Sequence, residues 1–257
     1  MKIDTSDILG VIPARFNSTR LLGKPLKIIG DKPMIQHVYE RVIKILNNVI
    51  VATDDDRIYD CIKEFGGKVI LTKDSHENGT SRCLEAVKIY VKHTGREFKH
   101  IINIQGDEPL IHEDHLKKLI LCFEDSTTNF ATVALQLSNQ KQPSGGKVFL
   151  VKDINDFALY FSRNIIPFIR YYKEKNINNN IIFYQHIGIY GYTKEALEKF
   201  CNQEPSFLEK SEELEQLRWL ENGGKIKVGI TKQLSYAVDT IEDLNEVRKI
   251  YEKKHHI

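Results

Sequence analysis

The sequence feature that most restricts the fold is a repeated order in which a short apolar run precedes a stretch with helical periodicity. The apolar runs cover residues 8–12, 48–52, 68–71 and 101–104. Apolar residues at helical spacing after these runs predict helices at 34–45, 55–65, 80–92 and 113–123. Continuously apolar strands that alternate with helices are typical of an α/β fold in which helices cover both faces of a mostly parallel sheet.

The pattern changes from about residue 147. Strand-like runs follow at residues 147–151, 158–161 and 183–192. They lie close together along the chain and predict a mixed sheet, while the polar, Asn-rich segment 173–180 predicts a loop. The 257 residues are enough for one large α/β domain or two small ones. We expect a single domain over residues 1–257, with a mixed-sheet subdomain at about 147–200.

The composition excludes a protein that holds nucleic acid by bulk electrostatics. Thirty-seven Lys and Arg residues against 35 Asp and Glu residues leave a formal net charge of +2. Any bound anion must therefore meet a local cluster of positive side chains. The four cysteines have no spacing typical of a zinc site or a disulfide framework, so we expect reduced thiols. They are Cys61, Cys83, Cys122 and Cys201.

The sequence shows no targeting or membrane-spanning segment. The first apolar run is about six residues long and follows Asp4 and Asp7, which does not fit a signal peptide. No stretch approaches the roughly 20 apolar residues of a membrane-spanning helix. We therefore expect a cytoplasmic protein without membrane insertion.

The loop after the first predicted strand has the composition of an anion-binding site. It lies within the segment VIPARFNSTRLLGKPL (11–26), at the strand end where open α/β sheets bind ligands. Arg15 and Arg20 can hold phosphate oxygens with forked donors, and Lys24 adds a point charge. Gly23 allows the backbone to approach closely, so a triphosphate fits, although the Walker and dinucleotide-binding patterns are absent. The alternative is that both arginines are solvated charges of an ordinary loop.

Two carboxylates follow other apolar runs. Asp107 lies in QGDEP directly after the fourth run, and Asp239 follows a short run near the C-terminus. Such carboxylates are natural ligands for Mg²⁺, which keeps most of its waters and bridges to substrate phosphates. One alternative is that Asp107 or Glu108 caps the next helix. Another is that Thr240 and Asp243 form a capping-box-like start of the last helix.

Eight segments of the chain together carry a family resemblance. They are VIPARFNSTRLLGKPL (11–26), VATDD (51–55), NGTSRC (78–83), NIQGDEP (103–109), ALYFSRNIIP (158–167), HIGIYGY (186–192), LEQLRWLENG (214–223) and VDTIEDL (238–244). In this order they resemble the 3-deoxy-manno-octulosonate cytidylyltransferases, also called CMP-Kdo synthetases, over roughly residues 8–250. No single segment is decisive, but eight in the same order are specific.

The resemblance implies a Rossmann-like nucleotidyltransferase fold with a smaller mixed-sheet part for dimerisation and sugar binding, and a homodimer. It implies an enzyme that, with Mg²⁺, joins CTP and 3-deoxy-D-manno-octulosonate (Kdo) into CMP-Kdo and pyrophosphate for lipopolysaccharide biosynthesis. In this reaction the anomeric hydroxyl attacks the α-phosphorus in line while pyrophosphate leaves. Catalysis therefore depends on positioning and on neutralising charge rather than on a protein adduct.

The resemblance also implies which residues form the site. Those implied to act in catalysis are Arg15, Lys24, Asp107 and Asp239, of which Asp107 and Asp239 hold Mg²⁺. Those implied to bind the nucleotide are Arg15, Ser18, Arg20, Lys24, Arg82 and Gln105. Those implied to bind the sugar acid are Gln105, Arg163, His186, Tyr190, Glu215 and Gln216. The alternative for His186 is an ordinary polar residue entering a strand, and the alternative for residues 214–219 is an ordinary amphipathic helix; the ordered resemblance favours the functional roles.

The chain departs from the family pattern at several positions. Ser81 replaces a usual acidic residue near the expected base pocket, and Leu22 and Ile241 replace usual prolines. Three other functions stay open: a CMP-sialate synthetase or other sugar-nucleotide transferase, the same reaction on 8-amino-Kdo or another ulosonic acid, and a nucleotide-binding relative without catalysis. Retention of Lys24 together with both carboxylates argues against the last.

Overall fold

The structure is a computed structural model that describes residues 3–138, 146–170 and 182–255. The loop predicted at 173–180 lies outside the described residues. The chain divides into two compact units. The first unit comprises Asp4–Leu116 and Ser235–Ile257, and the second comprises Met1–Ile3 and Lys117–Leu234. The prediction of a single domain stays a prediction.

The described residues form the following elements. The strands are β1 Ile8–Ala14, β2 Ile28–Ile29, β3 Lys32–Pro33, β4 Val49–Thr53, β5 Val69–Leu71, β6 His100–Asn103, β7 Phe130–Ser138, β8 Phe149–Lys152, β9 Ala158–Ser162, β10 Ile182–Thr193 and β11 Lys227–Thr231. The α-helices are α1 Met34–Val42, α2 Asp56–Glu64, α3 Gly79–Thr94, α4 Glu113–Leu121, α5 Lys194–Cys201, α6 Phe207–Glu212, α7 Gln216–Glu221 and α8 Ile241–His255. Short 3₁₀ turns cover Thr5–Asp7, Lys24–Leu26 and Cys122–Glu124.

The sheet of the first unit contains parallel strands in the order β5-β4-β1-β6. Right-handed crossovers place α1 and α2 on one face, because the connections from β1 to β4 and from β4 to β5 run in the same direction across the sheet. The connection through α3 runs back to β6 and therefore places α3 on the other face. The predicted α/β fold, with a mostly parallel sheet and helices on both faces, is confirmed.

β1 continues through Pro13 to Ala14, two residues beyond the apolar run 8–12 that predicted it. Pairing with β6 stops at Val11, whereas pairing with β4 continues to Ala14. The N–H of Gly10 points toward the β4 side, and alternate residues donate to opposite sides of a strand. The missing N–H of Pro13 therefore falls on the side where β6 has already ended, and no ladder hydrogen bond is lost.

An apolar cluster packs the C-terminal helix α8 against the predicted anion-binding loop. Its buried members are Leu21, Ile29, Met34, Leu110, Val238, Leu244 and Val247, with Tyr236, Ile250 and Tyr251 packed against them. Leu21 belongs to the loop, Leu110 to the segment after β6, and Val238 to the segment before α8. Burial of this cluster therefore fixes the three chain segments that carry the predicted phosphate and metal ligands.

The second unit contains a mixed sheet. β7 pairs in parallel with β11 and antiparallel with β10. β8 pairs antiparallel with both β10 and β9. The ring of Phe130 on β7 is fully enclosed and contacts four aromatic rings, those of Tyr190, Tyr192, Phe200 and Trp219. These aromatic contacts join the sheet to α5 and α7.

A buried ion pair joins α6 to α7. Arg218 donates from Nε to Oε2 of Glu209 at 2.7 Å and from Nη2 to Oε1 at 2.6 Å, and its Nη1 donates to the carbonyl of Gln203 at 2.8 Å. The side chains of Arg218 and Glu209 are 7% and 14% exposed. Because both charges are enclosed and doubly hydrogen-bonded, losing one partner leaves the other buried and unpaired.

Two further predictions, on the cysteines and on membrane-spanning helices, can be compared with the structure. All four cysteines are free thiols, as predicted. Among the described residues, no helix is both long enough and apolar enough to cross a membrane.

Arg218→Met should lower the free energy of unfolding by about 3 kcal/mol, because it leaves the Glu209 carboxylate buried without its partner. Urea unfolding followed by circular dichroism measures this loss. The control is Lys99→Met, which removes an equally short ion pair, 2.6 Å to Asp7, from an exposed position. The control should unfold close to the wild-type midpoint. Equal losses in the two variants would show that burial does not set the contribution of the pair.

Candidate functional site

A pocket of about 260 Å³ lies at the carboxyl ends of β1 and β6. The chain leaves β1 toward β4, whereas β6 lies on the opposite side of β1, so the pocket is at a topological switch point of the sheet. It brings together every predicted site residue of the first unit: Arg15, Ser18, Arg20, Lys24, Arg82, Gln105, Asp107 and Asp239. His76, Asn78 and Gly79, which were not predicted, also line it.

Lys24 lies between the two predicted metal ligands. Its Nζ donates to Oδ2 of Asp107 at 2.7 Å and to Oδ1 of Asp239 at 3.2 Å. Nη2 of Arg20 lies 3.1 Å from the same oxygen of Asp239. The side chain of Lys24 is 14% exposed, and that of Arg20 is 64% exposed. One partly enclosed ammonium therefore bridges two carboxylates that would otherwise repel each other, and a solvated guanidinium lies beside them.

Hydrogen bonds hold together the two loops that carry these carboxylates. The N–H of Val238 donates to the carbonyl of Asp107 at 2.9 Å. The hydroxyl of Ser235 donates to Oε2 of Glu108 at 2.6 Å, and Glu108 is buried. Glu108 therefore connects the loops while Asp107 presents its side chain to Lys24. The two adjacent acidic residues after β6 therefore have different partners.

The helix-cap alternatives do not compete with the site. Oδ2 of Asp243 accepts hydrogen bonds from the N–H groups of Asp239 and Thr240, and Oγ1 of Thr240 accepts from the N–H of Asp243. The capping box at the start of α8 therefore exists, but it uses the carboxylate of Asp243 and leaves that of Asp239 for Lys24. Asp107 likewise contacts Lys24, and α4 begins only at Glu113.

Gly23 and Phe16 shape the loop that precedes Lys24. Gly23 has a φ of +65°, and a Cβ at this position would lie 3.0 Å from the ring of Phe16. Its N–H donates to the carbonyl of Phe16 at 2.9 Å, and the guanidinium of Arg57 lies 3.3 Å from the centroid of the Phe16 ring. Only glycine satisfies both the positive φ and the close contact. Arg15 is exposed, and the structure gives it no ion pair within the described ranges.

Arg82 lines the pocket, but much of its guanidinium is bound within the protein. Nη2 donates to Oδ2 of Asp54 at 2.7 Å, and Nη1 donates to Oγ1 of Thr72 at 2.7 Å and to the carbonyl of Lys73 at 3.2 Å. Arg82 is buried and so connects α3 to the ends of β4 and β5. Its contact with the nucleotide stays a prediction. Asp54 was not predicted, although a carboxylate directly after a buried strand is the signal that identified Asp107.

Ser81, the main departure from the family pattern, belongs to a hydrogen-bonded group at the start of α3. Nδ1 of His76 lies 3.1 Å from Oγ of Ser81, and Nε2 of His76 contacts Oε2 of Glu85. Oδ1 of Asn78 accepts from the N–H of Ser81 as the helix cap. The position therefore keeps a polar partner for His76 without a second carboxylate. No pattern in the sequence singled out His76.

The donor set fits Mg²⁺. Among the described residues, no group of three or more His, Cys, Asp or Glu side chains is arranged to hold a metal ion. The pocket instead offers two carboxylates beside cationic groups suited to phosphates, and Mg²⁺ is commonly bound by one or two carboxylates plus substrate phosphates and water. Asp107 and Asp239 would hold the ion, and Mg²⁺ itself stays a prediction.

Three predicted sugar-binding residues lie together in the second unit. The hydroxyl of Tyr190 donates to Oε1 of Gln216 at 3.0 Å, and both side chains are buried. Nε2 of His186 lies 2.9 Å from Oγ1 of Thr132, and the rings of His186 and Tyr190 are 5.4 Å apart. The register of β10 against β7 shifts between Ile187 and Tyr190, so a β-bulge lies between these two residues of the strand.

The buried side chains of Tyr190 and Gln216 each offer a neutral hydrogen-bond donor. Burial raises the pKa of Tyr190 well above its usual value, and the nearby Glu215 adds to the shift, so the phenol stays a hydrogen-bond donor. Nε2 of the buried Gln216 has no hydrogen-bond partner among the described residues. A neutral donor that is enclosed and unpaired is suited to a polar ligand.

Arg163 is bound to the end of α6 in the same unit. Nε donates to the carbonyl of Glu212 at 2.7 Å and Nη2 to the carbonyl of Glu213 at 3.1 Å. The N–H of Arg163 also donates to Oε2 of Glu212 at 2.9 Å. Two donors of the guanidinium therefore stabilise the carboxyl end of a helix, where a positive charge is favoured. A two-bond contact between Arg163 and a substrate carboxylate would have to replace these contacts.

A family profile, two relatives and one solved structure that are similar to this chain point to the same family. The sequence profile described as Cytidylyltransferase matches residues 9–227. A 3-deoxy-manno-octulosonate cytidylyltransferase of Parabacteroides distasonis is 47% identical over 245 residues, which cover 93% of this chain and 95% of the relative. The protein of that name from Bacteroides thetaiotaomicron is 45% identical over 256 residues, which cover 96% and 98%. A solved CMP:2-keto-3-deoxy-manno-octonic acid synthetase complexed with CTP matches with a TM-score of 0.85 and 36% identity, over 96% of this chain and 99% of the other.

His186→Gln should reduce the dependence of stability on pH. A small part of His186 reaches solvent, but its ring is enclosed by Phe161 and Tyr190, and this burial lowers its pKa from 6.5 to about 3. Between these two values only the unfolded chain binds the proton, so the free energy of unfolding falls by up to about 1.4 kcal/mol for each pH unit below 6.5.

Urea unfolding at pH 7.5, 6.0 and 5.0 measures this effect as the difference between wild type and variant. The free energy of unfolding of the wild type, relative to that of His186→Gln, should decrease as the pH falls. His93→Gln, at an exposed position on α3, should follow the wild-type dependence. A constant difference across the three pH values would show that His186 does not titrate on unfolding.

Proposed function

This chain belongs to the 3-deoxy-manno-octulosonate cytidylyltransferase family, and from that premise we propose that it transfers CMP from CTP to the anomeric hydroxyl of Kdo, releasing pyrophosphate. The observation that carries the proposal is the contact of Lys24 with Asp107 and Asp239 inside a pocket lined by Arg15 and Arg20. Cations for phosphates and carboxylates for a divalent ion lie together at the switch point of a parallel sheet. A non-catalytic nucleotide-binding protein has no need of both carboxylates.

The positive groups of the pocket are assigned to the triphosphate. Arg15 and Arg20 are exposed and line the pocket, so their forked donors can reach phosphate oxygens without breaking a buried contact. Lys24 sits deeper and has a flexible four-carbon stem that carries a point charge. We assign Lys24 to the charge that develops on departing pyrophosphate, and Ser18 to a hydrogen bond with the same phosphates.

The carboxylates are assigned to Mg²⁺. When bound, the ion supplies electrostatic stabilisation of the phosphate charge and orients the phosphate oxygens for in-line attack. Asp107 and Asp239 hold it from two loops that are fixed to each other by the Val238 N–H and by Ser235. Rigid placement of the ligands is the contribution of the chain.

The polar residues of the second unit are assigned to the sugar acid. Tyr190 and Gln216 form a buried, neutral pair, and Nε2 of Gln216 has an unused donor capacity, which suits a sugar hydroxyl. His186 and Glu215 belong to the same assignment, as does Gln105 of the first unit. Arg163 is retained as a carboxylate-binding candidate, although it first has to release carbonyls of α6. Homodimer formation, a cytoplasmic location and supply of CMP-Kdo for lipopolysaccharide are proposed on the family membership.

The direct test of the proposed function is pyrophosphate release with Mg²⁺, with each of the four NTPs, and with or without Kdo. We expect release only with CTP and Kdo together. Parallel assays with 8-amino-Kdo and with a sialic acid separate the substrate alternatives, and Kdo should give the highest kcat/KM. Equal use of all four NTPs, or no release with any sugar acid, would overturn the proposal.

Asp107→Asn and Asp239→Asn should each lower kcat by two or more orders of magnitude and leave the fold intact, because each removes one metal ligand from a partly exposed site. Steady-state assays and circular dichroism measure the two effects. Asp7→Asn is the matched control, since Asp7 also pairs with a lysine but lies outside the pocket. Near-normal turnover in either pocket variant would remove that carboxylate from the metal site.

A further inference from the structure

The ammonium of Lys24 lies between the two carboxylates that are proposed to hold the metal ion. The oxygens that its Nζ contacts, Oδ2 of Asp107 and Oδ1 of Asp239, come from the two carboxylates proposed as metal ligands. The ammonium of Lys24 therefore already bridges two carboxylates, which lie 83 and 215 positions further along the chain. We propose that Lys24 determines when a divalent cation binds: its ammonium holds the two carboxylates until a triphosphate draws it away.

Electrostatic repulsion prevents the Lys24 ammonium and a divalent cation from binding the two carboxylates at the same time. An ammonium and a divalent cation within about 4 Å of each other repel strongly, and the partial enclosure of Lys24 weakens the screening by water. Asp107 and Asp239 can therefore accept a divalent cation only if Lys24 moves. With Lys24 in place, the pair of carboxylates has lost most of its attraction for a free metal ion.

A triphosphate supplies the force that moves Lys24. Lys24 lines the same pocket as Arg15 and Arg20, so phosphates held by the two arginines lie within reach of its flexible stem. Transfer of the ammonium to phosphate oxygens exposes two carboxylates at the moment when the phosphates also need a cation. The pocket exchanges one cation for another and never holds two unpaired carboxylates.

This inference rests on the proposed function, because it takes Asp107 and Asp239 as the metal ligands. It adds a specific consequence: the nucleotide and the metal favour each other's binding, and Lys24 carries that coupling. Within the described residues Arg20 forms an ion pair with Asp239, and its side chain is largely exposed, so it contributes little to the exclusion of the metal.

Mn²⁺ titrations followed by water-proton relaxation test the proposal, because they separate protein-bound Mn²⁺ from free Mn²⁺ and from Mn²⁺ on free CTP. The proteins are wild type, Lys24→Met, Asp107→Asn and the double variant, each with and without CTP and without any sugar acid. Lys32→Met is the control, since Lys32 forms an ion pair with Glu40 outside the pocket.

Without nucleotide, Lys24→Met should bind Mn²⁺ at least tenfold more tightly than wild type and Lys32→Met, and the double variant should lose this gain. CTP should raise the Mn²⁺ affinity of wild type at least tenfold and that of Lys24→Met much less. Unfolding temperatures give a second measure: Lys24→Met should be destabilised in EDTA and restored by Mn²⁺ alone, whereas wild type should not respond to Mn²⁺ alone.

Equal Mn²⁺ affinity of wild type and Lys24→Met without nucleotide would overturn the role of Lys24. The metal site itself would still be upheld if Mn²⁺ binding in the presence of CTP were lost in Asp107→Asn. Mn²⁺ binding that Asp107→Asn does not weaken in the presence of CTP would overturn the proposed metal site and this inference with it.

Discussion

One ammonium group joins three parts of the chain that are far apart in sequence. Nζ of Lys24 reaches carboxylates from the loop after β6 and from the segment before α8, at 2.7 and 3.2 Å. The apolar cluster that includes Val238 and Leu21 packs α8 against the loop of Lys24 and so brings these groups within reach of each other. Hydrophobic burial supplies the free energy, and the ion pairs select the arrangement in which two carboxylates face one cation. The pocket, the assignment of phosphates and the proposed metal site all depend on this contact.

The pocket separates residues that support its walls from residues that are free to bind. Arg82 is buried and donates to Asp54, Thr72 and Lys73, so it holds the ends of two strands to α3. Arg15 is exposed and open to solvent. The sequence places Arg15 in a loop and Arg82 in the first turn of a predicted helix, each after a strand, and only their contacts show which guanidinium is bound within the protein. The same distinction separates Glu108, which binds Ser235, from its neighbour Asp107. Chemical type marks a residue as a candidate, and its hydrogen-bond partners limit what remains available for a ligand.

Much of the fold follows from hydrophobic periodicity, and its exceptions have local causes. The helix predicted at 55–65 is Asp56–Glu64, and the strand predicted at 183–192 is Ile182–Thr193. β11 was not predicted, because its short apolar pattern is broken by Gly229. A Cβ at that glycine would lie 2.7 Å from the carbonyl oxygen of Lys118, so packing rather than strand propensity requires the residue. β1 extends two residues beyond the predicted run. A proline disrupts a strand only where its missing N–H would have donated to a neighbouring strand, and pairing with β6 has already ended before Pro13.

The fold class, the family and eight of the residues that line the pocket follow from the sequence alone, because apolar periodicity and the order of eight motifs are properties of the linear chain. His76, Asn78 and Gly79 of the same pocket were not predicted. The sequence could not decide between the roles open to each polar side chain. Asp239 and Asp243 are both acidic residues beside the start of α8, and only the structure shows that Asp243 caps the helix while Asp239 contacts Lys24. Arg163 matches a sugar-binding motif, yet its guanidinium is bound to α6. Such roles depend on distances and directions between atoms that are remote in sequence, and these are defined only when the apolar core has packed.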